Sequence, residues 1–407
     1  MSEHKEFIPY ARPSLEEDDI SAVTRVLKTQ WLTRGPEVKK FEEEFATYCG
    51  ARFAVACSSG TAALHLASLA LGLEPGDWVI TSPITFLATA NCVRFVGADV
   101  IFSDVESDTI NLSPSKLKTT LDSKKHLKIK SIFPVHFAGQ PADMEEIFTI
   151  AQSQGLKIVE DASHAVGAHY RTKRGEKVKV GSCKHSDMTT FSFHATKHIT
   201  MGEGGLVTTN DESLYHQLKL FRNHGMQQDQ FQQTALAYTS HGTKNPWYYE
   251  MKNFGFNYHA TDINCALARN QLTKIDKNLQ SRYEIAKMYH PLLASRFPGI
   301  IRPLQAEPMS NHAYHLFPVR INFKKLGITR ASLMNMLNQN GIGTQVHYIP
   351  LHLQPYYANL YNTKQGDFPI AESYYEEALS LPMFPTLIQK DISKIITVLE
   401  ERVLNHP

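Results

Sequence analysis

The sequence predicts an α/β protein in which a mainly parallel sheet, covered by helices, is followed by a smaller α+β domain. Two observations carry this prediction. Over the first 255 residues, short β-rich runs alternate with helical patterns, as they do in βαβ units. Beyond residue 255 a long charged helical pattern comes first and strand-like runs are few. We therefore predict a large domain over residues 1–255 and a smaller domain over residues 256–407.

The β-rich runs of the first part carry the Val, Ile, Phe and Thr residues that suit a buried strand. They are "FAVA" at 53–56, "WVIT" at 78–81, "DVIFSD" at 99–104, "IKSIFPV" at 129–135, "KIVED" at 157–161, "MTTFSF" at 188–193 and "GLVTT" at 205–209. After the first run, Leu66, Leu69, Ala70 and Leu73 recur at i, i+3, i+4 and i+7. This spacing predicts an amphipathic helix that ends at the turn "EPGD".

The second part predicts fewer elements. They are a long charged helix near 261–290, a strand in "YHLFPVRI" at 314–321, a helix near 329–339 and a strand near "IGTQVHY". The segment that precedes this part, "MQQDQFQQTALAYTSHGTKNPWYYEMKN", is polar, Gln-rich and aromatic. Such a composition favours a long functional loop over a core element.

Composition excludes several classes of protein. The 42 Lys and Arg residues against 40 Asp and Glu leave a net charge of +2, without the basic excess of a nucleic-acid-binding surface. The start "MSEHKEFIPYARP" has no apolar signal-peptide core, and no later stretch has the roughly 18 apolar residues of a membrane span. We expect a cytoplasmic protein without a membrane partner. Five scattered cysteines without a C-x-x-C pair predict reduced, mostly buried thiols: Cys49, Cys57, Cys92, Cys183 and Cys265.

A candidate phosphate site follows the first predicted strand. In "CSSGTAAL", small residues and hydroxyls open a helix, whose free N–H groups attract anions. The same letters also suit an ordinary turn and helix cap. The segment lacks the Gly-Lys-Ser/Thr of a nucleotide P-loop and is not G-x-G-x-x-G, so a small phosphorylated cofactor is favoured over a nucleotide.

Three further side chains complete a possible cofactor site. Lys197 stands between a strand-like run and a glycine cluster, where it is either a solvated surface lysine or an amine kept for carbonyl chemistry. Glu160 and Asp161 end a strand, where an acid either caps the next helix or contacts a ligand. Phe86 is either core or a flat platform. Taken together with the phosphate site, these residues fit pyridoxal 5′-phosphate (PLP), which needs an amine, a carboxylate and a stacking surface.

A metal site is the weaker interpretation of the histidines. His194 and His198 stand four residues apart in "HATKH". The pair lacks the glutamate of H-E-x-x-H, and no third ligand stands at a recognisable spacing. We therefore predict no catalytic metal.

The motifs resemble those of the DegT/DnrJ/EryC1/StrS family of PLP-dependent nucleotide-sugar aminotransferases, nearly end to end. The segments that carry the resemblance include "ACSSGTAALHLA", "TSPITFLATAN", "IVEDASHAVGAHY", "FSFHATKHITMGEGGLVTTND" and "FGFNYHATDINCALARNQL". The resemblance implies the PLP-dependent transferase fold of the aspartate aminotransferase type, with an N-terminal arm on the large domain. It also implies a functional homodimer with composite active sites.

The resemblance assigns roles around the cofactor. Lys197 becomes the Schiff-base lysine and Asp161 the partner of the pyridine nitrogen, and both are the expected catalytic residues. The other implied cofactor contacts are Phe86 under the ring, His164 beside its phenolic oxygen, Gly60, Thr61, Ala62 and Ser192 at the phosphate, and Asn257 reaching the phosphate from the other subunit. Where the family usually carries an arginine after Asn-Tyr, this chain has His259, which weakens any fixed positive charge at that position.

The implied reaction moves an amino group, with glutamate as the expected donor, to the C4 ketone of a UDP-linked 4-keto-6-deoxy-N-acetylhexosamine. The motifs "SFHATKHIT", "NHAYHLFPV" and "QVHYIPLH" resemble those of family members in pseudaminic acid biosynthesis. The implied substrate contacts are Tyr10, Gln30, Trp31, Leu32, Thr33, Gln345, Val346, His347 and Tyr348.

Three alternatives remain. The chain could act on a different keto nucleotide sugar, it could be a PLP-dependent sugar dehydratase, or it could bind PLP as a regulator without turnover. The dehydratases of the family carry histidine at the position of Lys197, and a regulator has no need of that lysine. Lys197 therefore disfavours the second and third alternatives.

Overall fold

The computed structural model describes residues 7–29, 31–305 and 312–403 of the chain. A seven-stranded sheet covered by helices dominates the first part, and a smaller antiparallel sheet lies in the second. This arrangement confirms the predicted α/β class. The division at residues 255 and 256 stays a prediction.

The described residues form helices of 4 to 22 residues. They are α1 (Glu17–Leu27), α2 (Pro36–Cys49), α3 (Gly60–Ala70), α4 (Leu87–Phe95), α5 (Pro114–Ser123), α6 (Met144–Ser153), α7 (Glu212–Arg222), α8 (Thr234–Ala237), α9 (Asp262–Thr273), α10 (Ile275–Arg296), α11 (Phe323–Leu326), α12 (Arg330–Gln339), α13 (Pro355–Tyr361), α14 (Pro369–Glu377) and α15 (Gln389–Val403).

The strands of the described residues are short. They are β1 (Phe53–Cys57), β2 (Asp77–Thr81), β3 (Asp99–Phe102), β4 (Lys128–Phe133), β5 (Lys157–Asp161), β6 (His169–Arg171), β7 (Lys177–Lys179), β8 (Met188–Ser192), β9 (Gly205–Thr209), β10 (Met226–Gln227), β11 (Glu250–Met251), β12 (Ile301–Pro303), β13 (Phe317–Ile321) and β14 (Ala378–Leu381).

The large sheet has the strand order β1-β9-β8-β5-β4-β2-β3, and its members are the seven β-rich runs of the sequence. Four neighbouring pairs are parallel, whereas β9 runs antiparallel to both β1 and β8. Every residue of β8 and β9 is buried, because helices cover both faces of the sheet. The apolar composition of these runs is thus explained by burial on two sides.

The sheet brings three chain segments to one edge. The parallel strands β5 and β8 end at Asp161 and Ser192, and α3 begins at Gly60 beside them. Gly205, the first residue of β9, is required at this edge because a Cβ there would lie 2.1 Å from the carbonyl oxygen of Ser59. In open α/β sheets, ligands bind at this carboxyl edge.

The smaller sheet, β12-β13-β14, is antiparallel and packs with α10, α12 and α15 around a second apolar core.

Two predictions for the second part of the chain are corrected by the structure. The predicted helix near 261–290 is two helices, α9 and α10, that meet at Lys274, whose amine lies 2.8 Å from the Asp19 carboxylate on α1. This ion pair joins the junction to α1, and α9 packs against both α1 and α2.

The predicted strand near "IGTQVHY" is also wrong. This segment makes only isolated bridges, from Ile342 to Ile8 and from Gln345 to Ser380. It pairs with the N-terminal arm at one end and with β14 at the other, so a continuous ladder cannot form. Residues 345–348 of this segment line a cavity instead.

The segment between the two parts is mostly irregular, as predicted, and holds only the short α8 and the two-residue strands β10 and β11. All five cysteines are free and buried, which confirms that prediction. In the described ranges, no helix is long and apolar enough to cross a membrane.

Candidate active site

A cavity of about 710 Å³ lies at the carboxyl edge of the large sheet. It unites predicted site residues that are far apart in the chain. These are Tyr10, Gly60, Thr61, Phe86, Asp161, His164, Ser192, Lys197, Gln345, Val346, His347 and Tyr348. The cofactor and substrate residues predicted from separate motifs therefore face one space.

The amino end of α3 forms one end of the cavity. The Ser59 hydroxyl caps the helix by accepting the Ala62 N–H at 3.1 Å. Ala62, which was predicted to hold the phosphate, is buried and does not line the cavity. Gly60 sits against Ser192, and a Cβ on Gly60 would come within 2.7 Å of the Ser192 Cβ. A bound phosphate is suited by three features: the close packing of Gly60 against Ser192, the free N–H groups of the first turn of α3, and the Ser192 hydroxyl.

Asp161 is held in one orientation. Its Oδ2 accepts the Thr89 hydroxyl at 2.6 Å, and its Oδ1 accepts the Ser163 N–H at 3.0 Å. The neighbouring Glu160 points to the other face of the sheet, where His136 Nε2 donates to it at 2.7 Å. The sequence placed both acids at the strand end, and the alternation of strand side chains sends only Asp161 to the cavity.

Lys197 lies in the turn after β8 with its amine in the cavity. Burial lowers the pKa of Lys197 to about 8, and the nearby Asp161 carboxylate opposes this shift. The lysine Nζ lies 3.4 Å from His315 Nε2. An amine with a pKa near neutrality is available as a nucleophile, unlike an ordinary surface lysine.

The buried His164 and the half-buried Tyr348 form a pair beside the lysine. The Tyr348 hydroxyl lies 3.1 Å from His164 Nε2. Burial, and secondly Lys197, holds the pKa of His164 far below its ordinary value, so the ring is neutral. If Tyr348 donates to Nε2, the proton of His164 is on Nδ1, which is buried without a hydrogen-bond partner among the described residues.

These observations test the fit of PLP. The unpaired His164 Nδ1 fits the phenolic oxygen, Asp161 fits the pyridine nitrogen, and the α3 end fits the phosphate. Phe86, the residue before α4, is 56% exposed yet lines the cavity, which leaves an aromatic surface free for a ring. The residues of the cavity therefore fit the cofactor. In the described parts of the chain, no group of three His, Cys, Asp or Glu residues is arranged to hold a metal.

Besides Ala62, four predicted residues do not line the cavity of this chain. Trp31 is 62% exposed, Leu32 is exposed, and Thr33 pairs with Thr261. Asn257 is exposed. The next residue, Tyr258, accepts the N–H of Ser58 with its carbonyl oxygen at 2.9 Å, and Ser58 stands two residues before the start of α3. Gln30, also predicted, lies outside the described residues.

His259, at the position where relatives usually have arginine, is half-buried and bonded to Asn223 at 3.1 Å. Burial, and secondly Arg222, lowers the pKa of His259 to about 4. The side chain is therefore uncharged near neutral pH, in agreement with the expectation that this position supplies no fixed positive charge.

Sequence reasoning missed His315 and Thr89, the direct partners of Lys197 and Asp161. His315 belongs to the motif "NHAYHLFPV". This motif resembles those of family members in pseudaminic acid biosynthesis, but the resemblance assigned no site role to any of its residues. Thr89 stands one helical turn after Phe86 on α4, and that spacing was the available signal.

A model of the DegT/DnrJ/EryC1/StrS aminotransferase family matches residues 13–400. The spore coat polysaccharide biosynthesis protein SpsC of Bacillus subtilis is 39% identical and covers 99% of both chains. Among solved structures, Helicobacter pylori PseC, an aminotransferase of pseudoaminic acid biosynthesis, has a TM-score of 0.86 at 29% identity, covering 98% of this chain and 100% of that one. The PLP form of Spr1654 from Streptococcus pneumoniae has a TM-score of 0.85 at 26% identity, covering 98% and 99%.

Proposed function

Because the chain belongs to the DegT/DnrJ/EryC1/StrS aminotransferase family, we propose that it aminates the C4 ketone of a UDP-linked 4-keto-6-deoxy-N-acetylhexosamine. Its general activity is that of a sugar aminotransferase, and its cofactor is PLP. The proposal adds the sugar, the C4 position, glutamate as the amino donor and a place in pseudaminic acid biosynthesis. A cytoplasmic location stays a prediction.

The similarity to PseC is the observation that carries the choice of substrate. That protein acts in pseudoaminic acid biosynthesis, and its whole length is covered at a TM-score of 0.86. The lining of the cavity supports a sugar, since neutral polar side chains such as Thr85, Ser163 and Gln345 line it, and Lys197 is the only lysine or arginine among its described lining residues. Hydroxyl and amide groups of a sugar are recognised by such neutral hydrogen-bonding partners.

The cavity residues divide by role around the cofactor. When bound, PLP supplies an electron sink that stabilises charge at the substrate carbon. Lys197 would bind its aldehyde and, when free, move a proton at the substrate carbon with its amine. Asp161 would keep the pyridine nitrogen protonated, and His164 would donate to the phenolic oxygen. Gly60, Thr61 and Ser192 would hold the phosphate against the end of α3.

The sugar would bind between the arm and the segment 345–348. The ring of Tyr10 lies 5.8 Å from that of His347, and the His347 Nδ1 is bonded to the Ser380 hydroxyl at 2.8 Å. Burial, and secondly Lys197, lowers the pKa of His347 to about 3, so it acts as a neutral hydrogen-bonding group. Gln345, Val346 and Tyr348 complete this wall of the cavity.

A homodimer with shared sites is part of the proposal. Asn257 and the segment 31–33 are predicted contacts that lie away from their own cavity, and Trp31 and Leu32 expose apolar side chains. Exposed apolar groups favour burial against a second chain. We place them at the cavity of the partner subunit.

The substrate proposal predicts selectivity between two epimers. The wild-type enzyme, with glutamate as donor, should have a higher kcat/KM for the UDP-linked 4-keto-L-arabino-hexose than for its D-xylo epimer. Chromatographic product analysis with stereochemical assignment measures both. Equal kcat/KM values would reject the pseudaminic assignment and leave an aminotransferase for another keto nucleotide sugar.

His347→Ala should raise KM for the keto sugar by about fivefold, the effect of losing one net hydrogen bond. The half-reaction with glutamate should change less, because glutamate lacks the sugar that the segment 345–348 is proposed to bind. Stopped-flow measurement of each half-reaction separates the two effects. His169→Ala, on the remote β6, is the matched control and should change neither. An unchanged sugar KM in the His347 variant would remove this residue from the sugar site.

A further inference from the structure

One contact of the cavity has no assigned role. Lys197 Nζ lies 3.4 Å from Nε2 of His315, a histidine that precedes β13 and is distant from the lysine in sequence. His315 is buried and lines the cavity. The lysine that carries the proposed chemistry therefore has one direct side-chain partner from the second part of the chain.

The chemistry of the pair defines the direction of this hydrogen bond. An ammonium group has only donors, so the imidazole must accept when Lys197 is charged. Burial, followed by Lys197, His164, His198 and Arg282, holds the pKa of His315 far below its ordinary value. His315 therefore accepts a hydrogen bond from the lysine without taking its proton.

The backbone that carries His315 is held from two sides. Arg282 on α10 is only 1% exposed, and its Nη1 donates to the carbonyl oxygens of Tyr314 at 2.9 Å and of His315 at 3.3 Å. His198, the residue after Lys197, donates from Nε2 to the Ala313 carbonyl oxygen at 2.9 Å. These bonds restrict the position of the imidazole relative to the lysine.

We propose that His315 is a positioning residue, which accepts a hydrogen bond from the free amine of Lys197 and holds it at the reacting centre during each half-reaction. A free lysine side chain has many rotamers, and the His315 contact restricts that freedom. The inference rests on the proposed role of Lys197, and it concerns the part of each half-reaction in which this lysine is not bound to the cofactor.

The test uses the full-length chain prepared without PLP, so it does not depend on turnover of any sugar. Lys197 is modified with a small amine-acylating reagent over a range of pH, and peptide mass spectrometry gives its modified fraction. The variants are His315→Gln, whose amide oxygen can reach the position of Nε2, and His315→Asn and His315→Leu, which offer no acceptor there. Circular dichroism checks the fold of each.

The wild type and His315→Gln should share a midpoint of modification near the Lys197 pKa of about 8. His315→Asn and His315→Leu should shift it downward by roughly 0.7 pH unit, because the loss of one hydrogen bond destabilises the ammonium form. In the loaded enzyme, the same two variants should lower kcat more than they raise KM.

A matched control separates positioning from packing. His312 lies in the same segment and accepts the Tyr314 N–H at 2.7 Å, but it does not line the cavity. His312→Asn should leave the midpoint unchanged. Equal midpoints in all His315 variants, or a shift in His315→Gln or His312→Asn as large as that in His315→Leu, would overturn the inference. Failure to aminate the UDP-sugar would instead reject the proposed substrate and leave the labelling result intact.

Discussion

Lys197→Ala is expected to lower turnover by at least about 10⁴-fold, since it removes both the covalent attachment point of the cofactor and the base that moves the proton. Among the cavity-lining residues described, Lys197 carries the only lysine amine, and burial brings its pKa to about 8. The neighbouring histidines cannot replace it as bases near neutral pH, because the pKa values of His164, His315 and His347 are lowered by burial.

Steady-state assays with glutamate and the keto sugar measure this loss, and circular dichroism with thermal unfolding shows that the chain still folds. Lys173→Ala is the control, because this lysine is exposed and pairs with Glu146 far from the cavity. Turnover in Lys197→Ala at the rate of the wild type would show that the amine has no catalytic role.

Mixing two inactive variants should restore activity if the sites are shared between subunits. A heterodimer of a Lys197→Ala chain and an Asn257→Ala chain has one site with both residues intact and one site with neither. Random reassociation would therefore give about a quarter of the wild-type activity. The position of Asn257, exposed and away from its own cavity, is the structural reason for this expectation.

The experiment denatures, mixes and refolds the two variants, and differently tagged chains confirm that heterodimers have formed. A mixture of Lys197→Ala with Asp161→Asn is the matched control. Both of these residues line the cavity of one chain, so no heterodimer site is intact and no activity should return. Absence of recovery in confirmed Lys197/Asn257 heterodimers would contradict the sharing of sites.

Several features of the fold were predictable because their causes are local. The seven strands of the large sheet carry apolar runs that are buried on both faces, as in β8 and β9. The residues at the start of α3 predict where this helix begins: Ser59 caps it, and Gly60 packs against Ser192. Two other expectations failed for a non-local reason, because Lys274 pairs with α1 and Gln345 pairs with β14. Neither partner can be read from the neighbouring residues.

The sequence by itself determined the α/β class, the family and the set of groups suited to PLP, because residue types and their order along strands and turns specify these. Only the tertiary structure decided which side chains meet Lys197. His315, His164 and Tyr348 reach the site from different parts of the chain. In the assembled site, burial lowers the pKa values of Lys197 and His315. Desolvation and contact depend on distance in space, which no local pattern encodes.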